Sequence, residues 1–228
     1  MEECVQRAFN TSDAGTAPTK KVSLADLIVL GGNAAVEEAA RRAGVTITIP
    51  FTPGRTDATE AQTDVAAFEN LKVSSDGFRN YYNRAESYLD PARAFVDRAD
   101  LLTLTVPEVV VLTGGLRVLG ANHGGSAHGV FTQQPETLTN DFFVALMDRA
   151  LPWTLTSPDS GVFTGTDRGT GVKKWTATTH DLILGSSADL RVVSFTYATP
   201  LARTRFAFDF AKAWAKVMSL DRFDLARR

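Results

Sequence analysis

One cysteine, three histidines and three tryptophans are spread over 228 residues, and each scarcity removes a class of chemistry. A lone thiol, Cys4, forms no internal disulfide, which suits a reducing compartment. His123 and His128 stand five apart in a loop rich in Gly and Ser, which is neither the i, i+4 pair of a helical zinc site nor a finger spacing. They are expected to be solvated. His180 and Asp181 precede an apolar run and are expected to cap a helix or lie at the surface. Charge of one sign is also lacking: the formal net charge is -2, with no basic stretch for nucleic acid or for a membrane. Long apolar runs are missing too, since Leu27 to Val36 covers only about half of the length that spans a bilayer. The opening MEECVQRAFN is acidic where a signal peptide is basic, so the chain is expected to be soluble and cytoplasmic. No serine sits in a G-x-S-x-G context, and neither Gly31-Gly32 nor GTDRGTGVKK has the spacing of a phosphate cradle.

What is present is helical periodicity. Residues 1–21 read as a flexible lead-in, ending in the Gly- and Pro-broken NTSDAGTAPTKK, and residues 22–228 as one domain. Ser23 with Asp26 predicts a capped helix running to Ala43, stopped by Gly44. Inside it, Gly31 and Gly32 suggest a second backbone packed closely. VTITIPFTPGRTD predicts a short β-like run and then a corner at Arg55 and Asp57. Further helices are expected over Pro91 to Leu102, from the T-x-x-E box Thr105/Glu108 onward, over Thr139 to Ala150, and over Pro200 to Leu220. GVFTGTDRGTGVKKWTAT predicts a hairpin turning near Gly169 to Gly171. The aromatics Phe206, Phe210 and Trp214 at four-residue steps, and Trp153, are most simply core. Taken alone, these residues describe a mainly α, non-catalytic domain with one small β-hairpin.

Several stretches, in order from about Lys20 to Leu225, carry a more specific message: KKVSLADLIVLGG, PFTPGRTDA, DGFRNYYNRAESY, LTGGLRVLGAN, GVFTQQPETLTNDFFVALMD and FAFDFAKAWAKVMSLDRFDL. Together they resemble the C-terminal domain of bacterial catalase-peroxidases, enzymes of hydrogen peroxide removal and the oxidative stress response. That family resembles a duplicated class I haem peroxidase in which only the N-terminal copy binds haem. The resemblance implies a haem-peroxidase-like helical fold here, with no haem or metal in this chain. The implied partner is the haem-bearing N-terminal domain, with a possible homodimer in the parent enzyme.

It also implies where the chemistry was lost. Active copies place a histidine on iron after a Gly-Gly pair, a tryptophan beside it, and an aspartate that orients it. The matching positions here are Leu116, Phe131 and Ser187. Leucine offers iron no lone pair, phenylalanine has no indole N–H, and serine supplies no anion. No catalytic or cofactor-binding residue is therefore expected. The alternatives are a divergent haem peroxidase ligating through His123, seven residues beyond Leu116, and an independent binding module. The family's helix matching the distal Arg/His helix would precede VSLADLIVL, where only about twenty residues stand. The expectation is a domain without its distal helix, leaving an apolar groove lined partly by the helix from Ser23 to Ala43.

Overall fold

A computed structural model describes residues 2–11, 21–157 and 161–225. Among them are eight α-helices: α1 (Glu2–Thr11), α2 (Leu24–Arg42), α3 (Pro91–Leu101), α4 (Val106–Val118), α5 (Asp141–Leu146), α6 (Thr179–Ser186), α7 (Ala188–Tyr197) and α8 (Arg203–Val217). Two short strands, β1 (Ser75–Asp76) and β2 (Tyr81–Tyr82), form one antiparallel ladder. A three-stranded antiparallel sheet has the order β3 (Trp153–Leu155), β4 (Val162–Thr166), β5 (Lys173–Thr178). The fold is mainly α, as the periodicity predicts.

The helix ends follow from their caps. Ser23 Oγ accepts from the Asp26 N–H at 3.0 Å to start α2, and Gly44, at φ 78°, turns the chain out of it. Asp90 caps α3 with Pro91 in its first turn, and Thr105 and Glu108 close a reciprocal box at the start of α4. Before α2, the sequence reading had no helix, yet α1 packs against α2: Gln6 donates to the Val22 carbonyl and to Asp57. Asp57 in turn accepts from the Leu24 and Ala25 N–H groups, so the predicted corner caps α2 from outside. Arg55, nearly buried, bridges Asp26, Asp221 and the Met218 carbonyl.

Four local expectations need correction. Val45, Ile47 and Ile49 do alternate inward, but the run pairs with no strand; the Ile49 N–H goes to Glu37 Oε1 instead. Helix α5 is half the expected length, because Asn140 donates to the Tyr197 and Thr199 carbonyls before it and Asp148 accepts from Ala150 in a turn after it. The last helix begins at Arg203, after a single tight turn at Pro200–Ala202. The predicted hairpin is β4–β5, with Asp167 accepting from Gly169 and Thr170 in its turn, but β3 adds a third strand.

The core is aromatic. Phe95, Phe131, Phe142, Phe143, Phe206 and Phe210 are all fully enclosed. Helix α4 crosses this core through its glycines: a Cβ on Gly115 would lie 2.2 Å from the Phe210 ring, and one on Gly114 2.3 Å from Phe143. The pair at 31–32 behaves differently, since Gly31 has open space around it and Gly32 meets the Trp214 indole at 3.1 Å, a side chain and not a backbone. Urea midpoints should therefore separate two identical changes. Gly115→Ala is expected to lose about 1–3 kcal/mol by overpacking, and Gly31→Ala to gain about 0.5–1 kcal/mol by helix propensity. A neutral Gly115→Ala would contradict the close approach of α4 and α8.

Candidate functional site

The corner at the end of α4 divides three ways over four residues. Gly114 and Gly115 receive the Phe143 and Phe210 rings, Leu116 is half-buried on a groove, and Arg117 is wholly enclosed. The chain then leaves the helix through Gly120, at φ 69°. The groove beside Leu116 encloses about 500 Å³ between α2 and α4. Gly32, Ala35, Val36 and Ala39 form one wall, Leu116 and Leu119 the other, and Trp214 of α8 closes one side. Its polar groups are Glu38, Arg42 and Glu136, which pair among themselves. The Trp214 N–H is taken by Asn33 Oδ1 at 2.8 Å.

Arg117 builds the strongest polar cluster in the described residues. Its Nε donates to Asp181 Oδ1 at 2.6 Å, its Nη1 to the Phe78 carbonyl at 2.6 Å and its Nη2 to the Gly77 carbonyl at 2.7 Å. Both partners of the ion pair are 0% exposed. Asp181 Oδ2 also accepts from the Thr178 N–H at 2.7 Å and from Asn80 at 3.2 Å. Thus Asp181 does cap α6, as expected, but from inside the core. His180 departs further from a surface residue: it is 2% exposed, edge-on to Tyr82 and Phe95, with Nε2 lacking a hydrogen-bond partner. Burial, helped by the nearby Arg117 guanidinium, pushes its pKa down to about 4.

The positions singled out from the sequence have separate surroundings. Leu116 faces the groove, while Phe131 is stacked on Phe142 at 5.1 Å and 6°, with Trp153 and Trp175 against it. Ser187 is the joint between α6 and α7, its N–H bonded to the Ile183 carbonyl and its side chain making no cap bond. No hydrogen bond or ring contact links the three. His123 is exposed on its own short turn, its ring 4.4 Å from Tyr81, and is not part of the groove wall. His128 is half-buried, not simply solvated, and its Nδ1 pairs with the Thr176 hydroxyl at 2.9 Å. Among the described residues no group of three metal-binding side chains forms, and no single helix is long and apolar enough to cross a membrane.

Sequence reasoning passed over Arg117, Asn80 and the buried role of Asp181. One signal was available: Arg117 is the only charged residue between Glu108 and Glu136, inside a helix whose other side chains after Glu108 are almost all apolar. A charge there must find a buried partner.

This arrangement has a counterpart among known proteins. The profile of the peroxidase family matches residues 5–200. The chain belongs to the peroxidase family. It is 56% identical over 98% of its length to a catalase-peroxidase of Syntrophotalea carbinolica. It is similarly 55% identical over 98% to catalase-peroxidase 2 of a Shewanella species (strain MR-7), and 54% identical over 99% to a catalase-peroxidase of Rhodopseudomonas palustris. In each case this peroxidase-family chain spans 30% of the length of the relative it matches. It is therefore similar to a part of a catalase-peroxidase.

Proposed function

We propose that the chain is the C-terminal, haem-free domain of a catalase-peroxidase and acts as a structural support for the haem-bearing N-terminal domain. The parent enzyme removes hydrogen peroxide; this part holds the catalytic half in its working geometry. The observation that carries the reading is the α4 corner, where Leu116, which has no lone pair, stands on an apolar groove whose lining holds no histidine, cysteine, methionine or tyrosine. The residues present do not fit a haem. The groove's acidic groups pair with Arg42 at the rim, Trp214 offers only a donor, and the faces of Gly114 and Gly115 are filled by phenylalanine rings. The exposed, Tyr81-stacked position of His123 weighs against a divergent peroxidase that ligates through it.

Support of this kind works by differential binding, because the domain shifts its partner only if it binds the active arrangement more tightly. Moving a population from 1:99 to 99:1 takes about 5.5 kcal/mol of such preference. The expected result is that a separately expressed N-terminal half has an altered haem spectrum and low oxygen release from peroxide, and recovers both when this chain is added. Association without any change at the iron would defeat the reading. In parallel, this chain with hemin should show no Soret band that is lost in His123→Ala; such a band would favour ligation by His123.

A further inference from the structure

Between the corner at Asp57 and β1, the chain carries an apolar stripe that none of the described residues covers. Ala66–Leu71 is a 3-10 helix, with three residues to each turn, so Val65, Phe68 and Leu71 stand above one another along one ridge. All three are exposed, at 63%, 59% and 70%, and the helix buries none of its residues. Helix α7 differs, since it exposes Val192 and Phe195 but buries Ser194 and Tyr197 on its other side. The ridge has no core face to hold it in place.

The apolar surface continues past the ridge. Leu71 and Val73 form one wall of a cavity of about 310 Å³, and exposed Tyr88 and Leu101 stand on its other walls, so ridge and cavity make one face. The face is anchored at its end, where the Asn83 N–H donates to the Ser74 carbonyl at 2.8 Å and Lys72 meets Glu86 at 3.5 Å. A contiguous apolar surface built from six large side chains is uncommon on a protein that works alone. It marks a contact with another protein surface.

Charge narrows the choice of partner. Asp64, Glu69 and Asp97 edge the face as exposed acids without an ion pair among the described residues, whereas Lys72 is taken by Glu86 and Arg98 alone offsets them, bonded to the Ser75 carbonyl. A second copy docking through the same face would set acid against acid, and an anionic membrane would be repelled. The chain spans 30% of each relative it matches, so a much larger stretch of the same enzyme is at hand to cover it. We propose that this face docks the domain onto the remainder of the parent enzyme, against an apolar patch edged with lysine or arginine. The inference rests on the reading that the chain is one domain of a catalase-peroxidase, and it gives that reading a contact surface. The ridge supplies apolar anchors at the centre and the acids a polar rim, the ordinary division of a protein interface.

The intact parent enzyme, with Phe68 replaced by the photoreactive benzoylphenylalanine, tests this by irradiation and peptide mass spectrometry. The expected crosslink joins position 68 to a segment outside this chain that carries lysine or arginine. No crosslink, a crosslink to a second copy of this chain, or one to a segment without basic residues would each overturn the proposal. The support function is read separately, at the iron. Phe68→Asp with Leu71→Asp, both at exposed positions where the fold is expected to persist, should loosen the docking and alter the haem spectrum. A crosslink to the remainder of the enzyme, with a haem spectrum unchanged in the double variant, would uphold the docking surface and overturn the support reading.

Discussion

Arg117→Met is expected to destabilise the domain by about 3–5 kcal/mol, the usual cost of breaking a buried ion pair from one side. The guanidinium satisfies three groups at once, Asp181 and the carbonyls of Gly77 and Phe78, and no water reaches the pair in its place. Methionine fills much of the same volume, so the loss is electrostatic and not a cavity. Asp181 is then left as a buried carboxylate with only Asn80 and Thr178 to hold it. A companion variant, Arg117→Met with Asp181→Asn, removes the stranded charge and should recover part of the loss, though not the two orphaned carbonyls. Chemical denaturation of the wild type and these two variants measures both quantities. A single variant as stable as the wild type would mean that the pair contributes no net stability.

Acid should unfold this domain through His180. Its folded pKa is depressed to about 4 from the ordinary 6.5, so between those values the unfolded chain binds the proton that the folded chain refuses. Stability is therefore full above about pH 6.5 and falls as the pH drops toward 4. At 1.36 kcal/mol per pKa unit the loss reaches about 3 kcal/mol at the lower limit. His180→Phe keeps an aromatic ring against Tyr82 and Phe95 and has nothing to protonate. Its stability should stay flat across the window in which the wild type declines, as followed by urea midpoints at a series of pH values. A parallel decline in both proteins would assign the acid sensitivity to the carboxylates instead.

Both effects sit in the part of the molecule that the sequence disclosed least. Helix starts were legible because their signals are local: Ser23 reaches three residues to Asp26, and Thr105 reaches three to Glu108. The turn at Asp167 is local in the same way. A groove lined partly by α2 was expected from the family resemblance, but its place beside Leu116 and Trp214 was not. Nor was the Arg117 cluster, because its members stand 39, 40 and 64 residues apart. Periodicity carries no information over such distances. Helix α5 starts late for a similar reason, since the carbonyls that Asn140 serves lie 57 and 59 residues away. Glycines were half-legible: Gly114 and Gly115 mark a close approach, but Gly31 and Gly32 show that the same pair of letters also fits an open face and an indole.

The separations that hid the Arg117 cluster also decide when it forms. Helix α4 is capped by its own residues and can take shape while its arginine is still hydrated. The guanidinium leaves water only when the turn at Gly77–Arg79 and the start of α6 have both arrived, and each arrival requires a long loop to close. Until then, dehydration would strand the charge. The cluster is therefore expected to close late in folding, so that Arg117→Met should speed unfolding more than it slows refolding when both rates are followed by stopped flow.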